Sequence, residues 1–174
     1  MIKQIFKNLT TRKNIIDVSK LLTLSPEDAA HFVNLQKGID RIFGRSLRIR
    51  QVDAGSCNAC EWECTALINP FYDIQRFGID FVASPRHADV LLVTGPVARQ
   101  MELALKKTYI ATPEPRLVVA CGDCAIDGGI YKGSYAVTNG VANVIRVDCY
   151  IPGCPPTPIQ IISGILQLIN RYAK

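Results

Sequence analysis

Three cysteines fall within one short stretch, Gly55-Ser56-Cys57-Asn58-Ala59-Cys60-Glu61-Trp62-Glu63-Cys64, and this stretch most constrains what the chain can fold into. The run before it, Leu47-Arg48-Ile49-Arg50-Gln51-Val52, alternates apolar and polar residues and reads as a strand. From Trp62 to Ile68 the spacing is helical. Cys57 and Cys60 therefore stand at a strand-to-helix turn, where backbone N–H groups lack intrahelical partners and the helix dipole favours negative charge. A thiolate pair forms readily there and is ready to hold a metal. The reading is that Cys57 and Cys60 hold half of an iron–sulfur cluster.

The chain has 174 residues, enough for one domain with a sizeable core plus an appendage. It carries no uninterrupted apolar run near the roughly 18 to 20 residues that span a bilayer. Met1-Ile2-Lys3-Gln4-Ile5-Phe6-Lys7 lacks the apolar block and cleavage site of a signal peptide, so a cytosolic compartment is expected. Seven cysteines, an odd number, in a reducing compartment argue against a disulfide framework and for metal or redox work. The charge is uneven. Residues 1–50 hold ten Lys and Arg against four acids, and the rest holds ten against eleven. A basic arm on a near-neutral domain suggests an acidic partner surface or anionic lipid, with a merely solubilising leader as the plain alternative. The arm shows no aromatic interleaving and no binding motif, so nucleic acid is not an expected partner.

Residues 1–45 read as a helical basic N-terminal appendage, with Ile15, Val18, Leu21 and Leu22 at helical spacing. Ser25-Pro26-Glu27-Asp28 caps a second helix, and His31 reads as a surface or packing histidine. Residues 46–174 form the domain proper. Strands are expected at 47–52, 79–83, 89–94, 116–121 and 144–148, with helices after the cysteine turn, after Gly95-Pro96 and from about 157 to 169. The pairing of the second and third strands stays open, because Ser84-Pro85-Arg86-His87-Ala88 is too short for a usual parallel crossover. The alternation predicts an α/β fold of flavodoxin-like type, a mostly parallel sheet with helices on both faces. Sites in such sheets form at the carboxyl ends of the strands. Cys57, Cys60, Cys124 and Cys154 all follow predicted strands.

Two four-cysteine sets compete. Cys57-x-x-Cys60 with Cys121-x-x-Cys124 has the spacing of a structural zinc site. The other set is Cys57, Cys60, Cys124 and Cys154. Cys121 ends an apolar strand and Gly122-Asp123 then turns the chain, so Cys121 and Cys124 can point different ways. Cys154 sits between Gly153 and a double proline, which restricts the backbone, offers no N–H donors and lets something bulky approach. These arguments favour the cluster and leave zinc open.

From about Arg48 to Ile169 the chain resembles the small, cluster-bearing 20 kDa-type subunit shared by membrane-bound energy-converting [NiFe] hydrogenases, formate hydrogenlyase included, and respiratory complex I. The matching stretches begin with Gly55-Ser56-Cys57-Asn58-Ala59-Cys60, Tyr72-Asp73-Ile74-Gln75-Arg76-Phe77-Gly78 and Ser84-Pro85-Arg86-His87-Ala88-Asp89. They continue with Gly122-Asp123-Cys124-Ala125-Ile126-Asp127-Gly128-Gly129 and Ile151-Pro152-Gly153-Cys154-Pro155-Pro156. The resemblance implies one [4Fe-4S] cluster on Cys57, Cys60, Cys124 and Cys154. The complex I branch has adjacent cysteines where this chain has Cys57-x-x-Cys60, the hydrogenase-type spacing. Residues 1–45 lie outside the resemblance.

Cys64 lies one helical turn beyond Cys60 and could face the cluster, but four cysteines already complete the set. Cys121 and Cys149 read as strand-end core cysteines, so all three are expected to be non-ligands. Glu63 matches a family acid beside the cluster, where it could carry protons; an ordinary helix-surface glutamate is the plain alternative. Arg86 matches a family arginine near the cluster, where a guanidinium would raise the reduction potential. The alternative for Arg86 is an ion pair, with Asp89 for instance, and His87 alone is weak evidence. The expected function is a non-catalytic electron-transfer subunit of an oxidoreductase complex. By resemblance it relays electrons between a ferredoxin-like iron–sulfur subunit and a [NiFe] catalytic large subunit. It would be held peripherally, through membrane subunits of the complex, on the cytoplasmic side of the membrane. The alternatives are a complex I-type subunit passing electrons to quinone and a structural zinc protein with four cysteine ligands.

Overall fold

The computed structural model describes residue 39 and residues 43–172. The helices expected over 1–45, the Ser25-Pro26-Glu27-Asp28 cap and His31 among them, lie outside the described residues, apart from residues 39 and 43–45. Among these, Ile39 is fully buried and Arg45 donates to the Asp89 carboxylate at 2.9 and 2.7 Å, so contacts of the domain begin before residue 46. That hydrogen bond, more than the charge alone, holds the Arg45 guanidinium above its ordinary range.

Five strands form one sheet: β1 Leu47–Asp53, β2 Ile79–Phe81, β3 Val90–Thr94, β4 Leu117–Cys121 and β5 Cys149–Ile151. All pairings are parallel and the order is β2-β1-β3-β4-β5, the flavodoxin-like order. β3 (Val-Leu-Leu-Val-Thr) and β4 (Leu-Val-Val-Ala-Cys) are buried at every position, as central strands covered on both faces must be. Among the described residues, the α-helices that follow β1 are α1 Ala59–Ala66, α2 Arg99–Ala111, α3 Asp123–Asp127 and α4 Pro158–Tyr172. Val52, Leu91, Val93, Val118 and Ala120 point to one face, where they pack with Leu105 of α2 and Ala125 of α3. The alternate residues face α1 and α4, which pack on each other. There the Cys149 thiol lies 3.6 Å from the Gly164 carbonyl of α4.

One open question is answered here, and one expectation changes. β2 and β3 do not pair with each other. Phe81 and Val90 both lie level with Ile49, on opposite sides of β1, and residues 82–89 carry the chain past it. The strand expected at 144–148 is absent. The Val144 and Ile145 amides both donate to the Val141 carbonyl, closing a helical turn. The Asp148 amide donates to the Val118 carbonyl at 2.9 Å, and the Asp148 carboxylate accepts the Val118 amide at 2.9 Å. A side chain thus stands in for one rung of the ladder, and β5 begins only at Cys149.

Burial separates two leucines of similar volume. Leu91 is fully buried in β3 and Leu103 of α2 is 61% exposed. Leu91→Ala is expected to cost about 2–5 kcal/mol in denaturant unfolding, and Leu103→Ala no more than about 0.5 kcal/mol.

Candidate metal centre

Three loops leave the carboxyl edge of the sheet and bring four cysteines with them. After β1, the Asp53 carboxylate accepts the Gly55 and Ser56 amides at 2.8 Å each, and the Ser56 hydroxyl accepts the Asn58 amide at 3.0 Å. Asn58 turns left-handed at φ 73° and admits the chain to α1. Cys57 is left exposed and Cys60 buried at 9% exposure. After β4, Gly122 leads into α3, whose first turn carries the half-buried Cys124. After β5 comes the exposed Cys154. The last two loops are clasped together. The Asp123 amide donates to the Gly153 carbonyl at 2.9 Å, and the Gly153 amide donates to the Asp123 carboxylate at 2.8 Å.

Two glycines make room. Gly122 sits at φ 92°, and a Cβ on it would lie 2.7 Å from the Cys60 sulfur, so its missing side chain is the space into which Cys60 reaches. Gly153 sits at φ 136°, and a Cβ there would lie 2.6 Å from Pro156. The space at Gly153 is taken by the chain's own double proline.

The thiols feel one another. Burial pushes the Cys60 thiol up to about 12, helped by Glu61 and by the neighbouring Cys64, Cys57 and Cys124. Burial also raises Cys124, with Cys154 and Cys57 next, while a hydrogen bond from the Ile130 amide opposes the rise. Cys60 and Cys124 thus resist ionising unless a cation compensates them, and four soft sulfur donors at one edge are the donor set of a thiolate metal or cluster site. The donor set and the glycine cradle fit an iron–sulfur cluster. Among the described residues, no three His, Cys, Asp or Glu side chains gather closely enough to hold a single ion.

The remaining cysteines have their own surroundings. Cys121 is fully buried and Cys64 is 1% exposed. A hydrogen bond with Cys64, followed by burial, raises the Cys121 thiol well above the ordinary range. Cys121 thus turns under α1 while Cys124 lies beyond it in the loop. Cys149 is buried against α4 and raised mainly by that burial.

Glu63 is half-buried on α1, three residues beyond Cys60. Arg86 is not brought to them. Its 3-10 turn, Pro85–His87, leads into the amino end of β3, and it lines a groove of about 570 Å³ with Lys107, Ile110, Ala111 and Pro113. These belong to the end of α2 and the approach to β4, the opposite edge of a parallel sheet. Nor does Asp89 pair with Arg86, since Arg45 holds it. The expectation that Arg86 adjoins the cysteines is therefore corrected. Phe81 and Val90 both stand level with Ile49, so the loop that carries Arg86 leaves and rejoins the sheet well short of the edge where Asp53 ends β1.

Three acids went unnoticed in the sequence. Asp53 had a signal, since an aspartate two residues before glycine favours an Asx turn. Asp123 and Glu61 had none, because their partners, Gly153 and Thr94, lie 30 and 33 residues away in the chain. Glu61 meets the Thr94 hydroxyl at the end of β3 with one carboxylate oxygen, and the other is buried without a hydrogen-bond partner. Around the same edge Trp62, Ile130 and Tyr135 are 67%, 79% and 90% exposed.

Residues 57–168 match the family described as NADH ubiquinone oxidoreductase, 20 Kd subunit. The probable membrane-bound hydrogenase subunit mbhJ of Pyrococcus furiosus is 42% identical over 134 residues, covering 77% of this chain and 80% of that one. Formate hydrogenlyase subunit 7 of Escherichia coli is 44% identical over 126 residues, covering 72% of this chain and 49% of that one. Among solved structures, a chain of the membrane-bound sulfane sulfur reductase, an archaeal respiratory membrane complex, superposes with a TM-score of 0.66 at 32% identity. The match covers 84% of this chain and 76% of that one.

The Gly122 cradle is testable. Gly122→Ala is expected to destabilise the protein by about 1 kcal/mol or more and to turn the Cys60 thiol out to a maleimide reagent. Gly133→Ala is the control, because Gly133 also has positive φ, at 80°, but an added Cβ there meets nothing within 4 Å. Equal thiol labelling in both variants would show that the cradle does not govern Cys60.

Proposed function

This chain belongs to the NADH ubiquinone oxidoreductase 20 Kd subunit family, and from that premise we propose that it is an electron-transfer subunit holding one [4Fe-4S] cluster on Cys57, Cys60, Cys124 and Cys154. The observation that carries the reading is that three strand-end loops, two of them clasped by Asp123 and Gly153, bring these four cysteines to one edge of the sheet. There the Cys60 and Cys124 thiols are raised by burial and by neighbouring thiols. A cluster bound there would supply one-electron transfer without any change in the protein's covalent bonds. Cys57 and Cys60 would hold it from the α1 side, and Cys124 and Cys154 from the clasped loops after β4 and β5. Asp53 and Asp123 keep those loops in place by accepting backbone amides. Cys121 fits a zinc set poorly, since its thiol is engaged with Cys64 in the core.

The relatives' names support a place in a membrane-bound oxidoreductase complex of hydrogenase type. In that setting the chain relays electrons between a ferredoxin-like subunit and a [NiFe]-type large subunit. The large subunit covers Trp62, Ile130 and Tyr135 and excludes water from the cysteine edge. No helix among the described residues is long and apolar enough to cross a membrane. Attachment on the cytoplasmic side through other subunits of the complex accords with that.

The test is iron, acid-labile sulfide and low-temperature EPR on anaerobically purified protein. Wild type is expected to carry about four irons per chain. Cys154→Ser is expected to lose most of them and Cys149→Ser to keep them. Equal loss from both would refute the ligand assignment, and zinc in place of iron would refute the cluster.

A further inference from the structure

We infer that Glu61, which carries the only orphaned carboxylate oxygen among the described residues near the cysteine loops, is the side chain by which this protein holds its cluster's reduction potential low. The inference rests on the cluster reading above and assigns a role to a residue outside the ligand set.

Glu61 directly follows Cys60 in the first turn of α1. One carboxylate oxygen meets the hydroxyl of Thr94, the last residue of β3 and fully buried. Thr94 lies in register with Asp53 on one side and Cys121 on the other, so the contact fixes the carboxylate over the carboxyl edge of the central strands. The hydroxyl has a single proton and its other acceptor, the Val52 carbonyl, stands at 3.4 Å. The proton therefore goes to the carboxylate. The second oxygen, Oε2, is buried and accepts nothing from the described residues, and no cation there pairs with Glu61. A buried polar atom without a partner calls for a reason in the site around it.

Other acids at this edge have their charge dispersed. Asp53 spreads it over two amides and Asp123 accepts one. The charge of Glu61 is relieved by one hydroxyl, and the carboxylate stands next in sequence to Cys60 and, through Thr94, one strand away from Cys121. A reduced cluster carries one more negative charge than an oxidised one, so a fixed carboxylate in a poorly screened position opposes reduction. Glu61 is thus a tuning and positioning residue. It anchors the start of α1 to β3 while biasing the site against extra negative charge.

The experiment is an EPR-monitored redox titration of the anaerobically purified complex. Glu61→Gln keeps the side chain's size and its ability to accept from Thr94 while removing the charge. It is expected to retain wild-type iron content and EPR line shape, and to shift the midpoint potential to more positive values. Glu61→Asp, which keeps the charge, is expected to stay near wild type, and Glu63→Gln to shift less than Glu61→Gln. An unmoved potential in iron-replete Glu61→Gln overturns the inference alone, as does an equal shift in Glu63→Gln. Should Glu61→Gln lose its iron, Glu61→Met is titrated in its place, and loss of iron from both leaves Glu61 a purely structural tie and overturns the inference. Wild-type complex with no iron would instead overturn the cluster reading itself.

Discussion

Asp53, Thr94, Cys121 and Ile151 lie side by side in the sheet, each the last residue of its strand. Parallel ladders keep their hydrogen bonds evenly spaced, so strands in this register end at one level and release their loops together. Cys124 and Cys154 each stand three residues beyond the strand that precedes them, at equivalent positions in adjacent loops. The reciprocal hydrogen bonds between Asp123 and Gly153 follow from that equivalence. So does the donation from the Gly122 amide to the Ile151 carbonyl at 2.8 Å. Shifting β5 by one residue would turn its side chains to the other face and take Cys154 out of step with Cys124.

What the register gathers is electrostatically unfavourable by itself. Burial and neighbouring thiols push the Cys60 and Cys124 thiols up, and Glu61 adds negative charge at the same edge. Such a site gains most from a positively charged occupant, whose binding would displace protons from sulfur. The space it needs is prepared on one side by an absent side chain, at Gly122. The scaffold below it is the buried interior of β3 and β4, stiff because it is close-packed on both faces.

The two edges of the sheet are chemically distinct. At the carboxyl edge lie the thiols, the carboxylates and a rim of exposed aromatic and aliphatic residues. At the amino edge Asp89 is 6% exposed, accepting from Arg45 and from the Arg48 amide, while Arg86 and Lys107 border an open groove. A cation at that edge is separated from the cysteines by the length of the strands, where its field is weak.

The sequence alone determined the fold class and the edge on which the cysteines gather. The continuous apolar runs of β3 and β4 and the alternation in β1 announce burial, and burial is what hydrophobic patterning reports. Cysteines placed just after such runs must leave by the carboxyl ends. Patterning does not report hydrogen bonding. That is why Val144-Ile145-Arg146-Val147-Asp148 reads as a strand although Asp148 supplies a side-chain rung and the ladder starts at Cys149. For the same reason the path of residues 82–89, and with it the side of the sheet Arg86 occupies, could not be read before β2 and β3 were seen to flank β1. The Glu61–Thr94 contact and the Cys64–Cys121 pairing join residues far apart in the chain, brought together only when α1 lies across strands whose register is already set. Tertiary structure decided these because each depends on the relative height of two strands, a quantity that no local stretch of sequence contains.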